Sequence, residues 1–349
     1  MPHSVQSSDE ISALGEFGLI RHLTRDIEIR NTGTELGIGD DAAILDYGNK
    51  KVVVTTDLLT EGIHFNLEYT PLKHLGYKAA VVNFSDIYAM NAVPKHLLIS
   101  IALSSKFRIS MVESLYEGLL LACKNYGVDM VGGDTSSSLT GLTISITVLG
   151  EGESGKTVFR KGACPNDLIC VSGNLGGAYM GLQVLERERR VFRDHPDVQP
   201  DLSEYNYILE RQLKPEARRD IIHQLAEKGI RPTAMIDISD GLSSEILHIC
   251  NESKVGCRLY ADKIPIHPST VAAAEEFMME PVIAALNGGE DYELLFTVPL
   301  NDFEKIASQP GISIIGHITE PGEKALLVTV DGGTMEITAQ GWNGLSPER

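Results

Sequence analysis

Apolar and polar positions recur along this chain with two different periods, and each change of period marks an element. Lys51–Asp57 is a β-branched run ending in a carboxylate and reads as a strand. Pro71–Met90 carries Ala, Val, Phe and Ile at helical spacing behind a proline start. Leu97–Leu103 predicts a strand, and Ser110–Tyr126 a helix opened by a serine cap. Val128–Asp134 is a short strand running into Gly132-Gly133-Asp134, and Leu142–Val148 alternates with strict period two. The Gly150–Thr157 stretch breaks the pattern and marks a boundary between domains 1–150 and 151–349, each α+β. The second domain restarts with strand Leu168–Ser172, loop Gly173–Gly177 and a helix through Val184. Strand Ala234–Ile238, helix Leu242–Asn251, strands Cys257–Ala261 and Tyr292–Val298 and a strand-rich tail follow. The charged segment Glu186–Asp201 reads as an exposed excursion.

Composition narrows the class. The 349 residues are 43% apolar and 22% charged, too apolar for disorder. A net charge of −18 argues against a broad footprint on nucleic acid or an anionic membrane. No basic segment followed by an apolar core opens the chain, and no apolar run approaches the ~20 residues that span a bilayer. Five cysteines without a C-x-x-C pair fit reduced thiols, so a cytoplasmic setting is expected.

One motif misleads. Gly150–Thr157 matches the P-loop pattern G-x-x-x-x-G-K-[ST]. A P-loop needs a helix whose N-terminus faces the phosphates, whereas Val158–Pro165 brings β-branched residues, Gly and Pro. Glu151 and Glu153 would also oppose a polyphosphate, so a solvated hairpin tip is expected.

The chemistry lies with acidic residues beside small ones at strand ends and loop starts. These are Asp40-Asp41, Asp57, Asp86, Asp134, Asp237 with Asp240, and Glu290-Asp291. Unit charges ~5 Å apart repel by about 3 kcal/mol at an effective dielectric near 20, so a gathered set needs cations. Oxygen donors without His/Cys sets point to Mg²⁺ bridging substrate phosphates. Each Asp read singly is also a helix cap or a turn former. Asp57 follows Val-Val-Val-Thr-Thr and caps no obvious helix, and Asp86 falls inside an apolar helix, where an unpaired charge is costly.

In sequence order, Gly37–Ile44, Thr55–Asp57 with Gly62–Phe65, Lys78–Asp86, Gly132–Thr135, Asp237–Leu242 and Gly288–Leu294 resemble the thiamine-monophosphate kinase family. The resemblance spans about residues 14 to 345 and implies a two-domain aminoimidazole-ribotide synthetase-like α+β fold, with mixed and antiparallel sheets flanked by helices. It implies Mg²⁺ ligands at Asp41, Thr55, Thr56, Asp57, Asp86, Asp134, Asp237 and Asp240. ATP is implied at Gly133, Asp134, Arg160 and Ser239, and thiamine monophosphate at His64, Glu290 and Trp342. Asp57, Asp134 and Arg160 take the catalytic positions. Ordinary readings stand beside these: a surface cation for Arg160, a satisfied loop histidine for His64, a packing anchor for Trp342, a plain turn for Gly173–Gly177.

The implied reaction converts ATP and thiamine monophosphate to ADP and thiamine diphosphate by direct in-line transfer. A sister ATP-dependent synthetase and a non-catalytic acidic metal-binding protein are the alternatives. Leu97–Leu103 and Leu142–Val148 alternate apolar residues with Ser, Thr or Ala, a face suited to pairing across a two-fold axis. Relatives pair through this half, so a homodimer is expected.

Overall fold

The computed structural model describes residues 22–36, 44–45, 51–153, 155–197 and 199–338. The chain divides into two compact units, residues 1–83 with 94–151 and residues 84–93 with 152–349. The second unit therefore takes a ten-residue segment from within the first half of the chain.

In the first unit, a small pair of strands, β1 (Thr34–Leu36) and β2 (Ile44–Leu45), runs antiparallel. The main sheet has β3 (Lys51–Thr60), β4 (Val93–Leu103), β5 (Asp129–Ser137) and β6 (Thr143–Gly152) in the order β3-β6-β4-β5. β4 and β5 are parallel, with Ser100 opposite Asp134. Alternation places Leu97, Ile99, Ile101, Ile144, Ile146 and Val148 in the core. Two helices, α1 (Leu72–Ala89) and α2 (Ile109–Tyr126), add buried Leu75, Tyr77, Leu115 and Leu119. β3 differs, for Val52, Val54 and Leu58 are 44%, 58% and 57% exposed. Ser110 is not a cap: the helix starts at Ile109, behind an extended Arg108 that follows the buried Phe107.

The second unit holds helices α3 (Gly177–Asp194), α4 (Asn206–Leu213), α5 (Arg219–Glu227), α6 (Leu242–Ser253), α7 (Pro268–Glu276), α8 (Pro281–Asn287) and α9 (Phe303–Ala307). Its sheet contains β7 (Leu168–Ser172), β8 (Ala234–Asp237), β9 (Gly256–Tyr260), β10 (Leu294–Val298), β11 (Ile312–Thr319), β12 (Ala325–Val328) and β13 (Thr334–Glu336). The order is β13-β12-β9-β11-β7-β10-β8, antiparallel except for β12 beside β9. β7, β8 and β10 are buried at every position, so their runs are continuous rather than alternating. Part of the expected excursion is helix: Glu186–Asp194 continues α3, with an Arg189–Glu186 pair one turn apart. The architecture is α+β with mixed sheets.

Among its described residues the P-loop-like stretch shows no helix. β6 runs to Gly152, and the Lys156 ammonium pairs with Glu153 at 2.6 Å. Asn91 donates to the Lys156 carbonyl at 2.8 Å.

Candidate active site

In the first unit, Thr55, Thr56 and Asp57 lie within β3 rather than at its end, because Leu58, Leu59 and Thr60 prolong the strand. Asp134 is likewise interior to β5, whose Thr135, Ser136 and Ser137 pair with Ile101, Ala102 and Leu103. Strand placement turns neighbouring residues to opposite faces: Asp57 is half-buried while Thr56 is exposed and meets the Thr147 hydroxyl at 3.0 Å. β3 and β5 are the outer strands of the sheet, so Asp57 and Asp134 stand three strand spacings apart, about 14 Å along the hydrogen-bonding direction. The structure does not bring these two together. A Cβ at Gly133 would fall 1.7 Å from the Ile99 carbonyl oxygen, so close strand approach alone demands glycine there.

His64 sits exposed in the loop after β3. Its Nδ1 accepts the Thr60 amide at 3.0 Å, and its own amide donates to the Thr60 carbonyl. With Nδ1 accepting, the neutral ring carries its proton on Nε2. The loop is closed by Glu61, whose carboxylate accepts the Leu142 amide.

The second unit assembles two turns. β8 delivers Asp237 at its end, followed by Ser239-Asp240-Gly241 and α6. The other turn is Gly288-Gly289-Glu290-Asp291-Tyr292-Glu293, leading into β10. Glu290 donates its amide to the Ser239 carbonyl at 2.7 Å, and Tyr292 to Ile238 at 2.8 Å. Such close contact bends the backbone hard: Glu290 and Tyr292 have φ of 57° and 52°, the left-handed region that side chains avoid. Gly289, at φ 70°, could carry no Cβ, since the Ser239 oxygen lies 2.6 Å from where it would be.

Around these turns the side chains are tied. Asp237 is 4% exposed and accepts the Ser85 hydroxyl of α1 at 2.6 Å. Asp86, next along α1, is half-buried. Burial raises the Asp240 carboxyl above its usual range; His248 and Arg160 oppose this and Glu290 adds to it, so these four share one patch. Arg160 itself is exposed, and the neighbouring Phe159 carbonyl accepts the Met235 amide of β8. Glu245, in the first turn of α6, accepts the Asp240 amide at 3.1 Å. Its other oxygen is buried without a hydrogen-bond partner, and burial pushes its carboxyl up to about 8.

Asp291 answers the question left by Gly173–Gly177. Its carboxylate takes the Gly176 amide at 2.6 Å and the Ala178 amide at 3.2 Å, so the α3 N-terminus is already capped by protein. Burial lifts the Asp291 carboxyl to about 6. Glu293 accepts from Ser172 at 2.5 Å and pairs with Arg218 and, at 2.9 Å, with Arg211. Gln212 donates to Glu290 Oε2 at 2.9 Å.

Asp291 belongs to the acidic set expected from the sequence, while Ser85, Gln212, Arg211, Arg218, Glu245 and Glu293 are supports that the sequence does not single out. The acids of the Gly288–Glu293 run and a glutamate just inside a helix after Asp-Gly were the available signals. Asp41 and Trp342 lie outside the described residues. Among the described residues no three His, Cys, Asp or Glu side chains converge closely enough to hold a metal by themselves.

Residues 39–151 match the family model described as AIR synthase related protein, N-terminal domain. The chain is 33% identical over 340 residues to the thiamine-monophosphate kinase of Bacillus subtilis, covering 95% of this chain and 99% of the relative. It is 35% identical over 320 residues to that of Aquifex aeolicus, covering 89% and 97%. Among solved structures, AaThiL complexed with AMPPCP and TMP superposes with a TM-score of 0.74 at 34% identity, covering 95% of this chain and 97% of that one. Hydrogenase maturation protein HypE, at a TM-score of 0.72 and 20% identity over 94% and 98% of the two chains, shares the fold. Identity above 30% along almost the full length of both partners reaches far beyond that common fold, and by it the chain belongs to the thiamine-monophosphate kinase family of enzymes.

Proposed function

We propose that this chain transfers the terminal phosphoryl group of ATP in line to thiamine monophosphate, giving ADP and thiamine diphosphate, with several Mg²⁺ ions. The observation that carries the reading is the joining of the Asp237–Gly241 turn to the Gly288–Glu293 turn through Glu290 and Ser239. That joint sets an expected nucleotide residue beside an expected acceptor residue. The relative solved with AMPPCP and TMP supports the choice of substrates.

The donor set fits Mg²⁺. It is all oxygen, and no described residue group encloses an ion, so each ion would be held by one or two carboxylates and completed by phosphate and water. Asp41, Thr55, Thr56, Asp57, Asp86, Asp134, Asp237 and Asp240 would hold the ions, which neutralise the repulsion between two polyanions. Ser85 fixes one oxygen of Asp237, orienting the carboxylate. Gly133, Asp134, Arg160 and Ser239 would receive the nucleotide, and His64, Glu290 and Trp342 the acceptor. The attacking phosphate oxygen is already ionised, so no general base is required. His64 presents Nε2–H as a donor, which suits binding a phosphate better than removing a proton. Alignment and charge neutralisation carry the rate. An ADP-release assay tests this: thiamine monophosphate should elicit ADP and unphosphorylated thiamine should not. ADP release indifferent to thiamine monophosphate would favour a sister synthetase, and binding of Mg²⁺ without any ADP release a non-catalytic protein.

The same reading includes a homodimer formed on the outer face of the first unit's sheet. Val52, Val54 and Leu58 expose an apolar row on β3 that a second copy would cover. A sedimenting species of monomer mass at micromolar concentration would refute it. A cytoplasmic setting completes the proposal, supported by five free cysteines. No helix among the described residues is long and apolar enough to cross a membrane.

A further inference from the structure

The segment between α3 and α5 has no role in the reading above, yet two consecutive side chains at the end of α4 reach the strained turn. Arg211 donates to the Asp291 carbonyl at 2.7 Å and pairs with the Glu293 carboxylate. Gln212, 6% exposed, donates its amide to Glu290 Oε2 at 2.9 Å. Glu290 is thus gripped twice. Its backbone is held in a left-handed conformation by the Ser239 carbonyl, and its carboxylate is held by α4. A glutamate at a sharp turn otherwise samples several rotamers, and ordering it at the moment of binding weakens affinity. An amide hydrogen bond to one oxygen fixes the carboxylate plane in advance.

We propose that Gln212 is a positioning residue that presets the Glu290 carboxylate for the phosphate acceptor, whose cationic ring and amino groups would face it. The inference rests on the assignment of Glu290 to the acceptor. Arg211 secures the backbone on which this works, and Gln212 sets the direction of the side chain. A neutral amide suits the position, since a lysine there would compete with a cationic ligand for the same carboxylate.

Gln212→Met, of similar length and without a donor, tests the role in the full-length enzyme. We expect KM for thiamine monophosphate to rise about tenfold, the scale of one lost hydrogen bond to a charged group, with KM for ATP and the melting temperature held. Calorimetric titration of thiamine monophosphate in the presence of a non-hydrolysable ATP analogue should show the same loss. In a Glu290→Ala background, Gln212→Met should change KM by less than about twofold, because a residue acting through Glu290 adds nothing once it is gone. If Glu290→Ala leaves the acceptor KM unchanged, the assignment of Glu290 fails and the inference with it. If Glu290→Ala raises that KM but Gln212→Met does not, or if the two effects multiply, the inference alone is overturned. Should the methionine variant melt lower, Gln212→Ala supplies the same readings. Unfolding of both would make Gln212 a packing residue and overturn the proposal.

Discussion

The carboxylates of the two units are kept in opposite ways. Asp57 and Asp134 stand on outer strands, half-buried or exposed. Asp237, Asp291 and Glu293 are at most 4% exposed and receive hydroxyl, amide or guanidinium donors from elements far away in sequence. An exposed carboxylate is solvated in the folded and unfolded chain alike and adds little to stability. A buried one must be matched by donors, and its removal strands them. Exposed Asp134 leaves its charge toward solvent; the buried set converts charge into a rigid platform.

That contrast is sharpened most by Asp57→Asn. Turnover should fall by at least about a hundredfold, the scale of a lost electrostatic contact to the reacting phosphates, while the thermal melt stays within about five degrees. A variant that unfolds would place Asp57 with the buried group. Glu293→Gln should do the reverse. Leaving Arg211 and Arg218 without their shared partner should lower unfolding stability by about 3–5 kcal/mol in urea titration. A loss under about 1 kcal/mol would mean that the cluster is replaceable.

The smallest effect is a pH dependence. The Asp291 carboxyl is raised from its ordinary 3.8 to about 6 by burial, so the folded state holds its proton more tightly than the unfolded chain does. The contribution is therefore complete below about pH 4 and is lost as pH rises through about 6. Relative to Asp291→Asn, the wild type should lose stability between those values and show a constant difference above them. Urea midpoints at three pH values measure it, and a wild type that gains stability relative to Asp291→Asn as pH rises would contradict the assignment.

How much of this was readable follows from range. Leu168–Ser172 was legible to the residue, because a buried central strand is an unbroken apolar run closed by glycine. The sequence predicts strand from Tyr292, but its backbone is left-handed and its amide bonds the Ile238 carbonyl more than fifty positions away. The sequence places Asp57 and Asp134 at strand ends because Leu58–Thr60 and Thr135–Ser137 carry no distinct signal of their own. The acids themselves stood out beside their glycines. Their supports did not, since Ser85 lies 152 residues from Asp237 and Gln212 78 from Glu290. No local pattern encodes a partner at that distance.

Helix α1 crosses the division between the units, its last residues belonging to the second. During synthesis Ser85 and its neighbours leave the ribosome some 150 residues before Asp237, so this end of the helix must wait, its buried face uncovered, while the rest of its unit is made. Cutting the gene at Gly152 would not yield two autonomous proteins. The downstream fragment would lack residues 84–93, and with them the hydroxyl that Asp237 accepts from. A fragment meant to stand for the second unit has to carry that stretch along, grafted or supplied as a peptide.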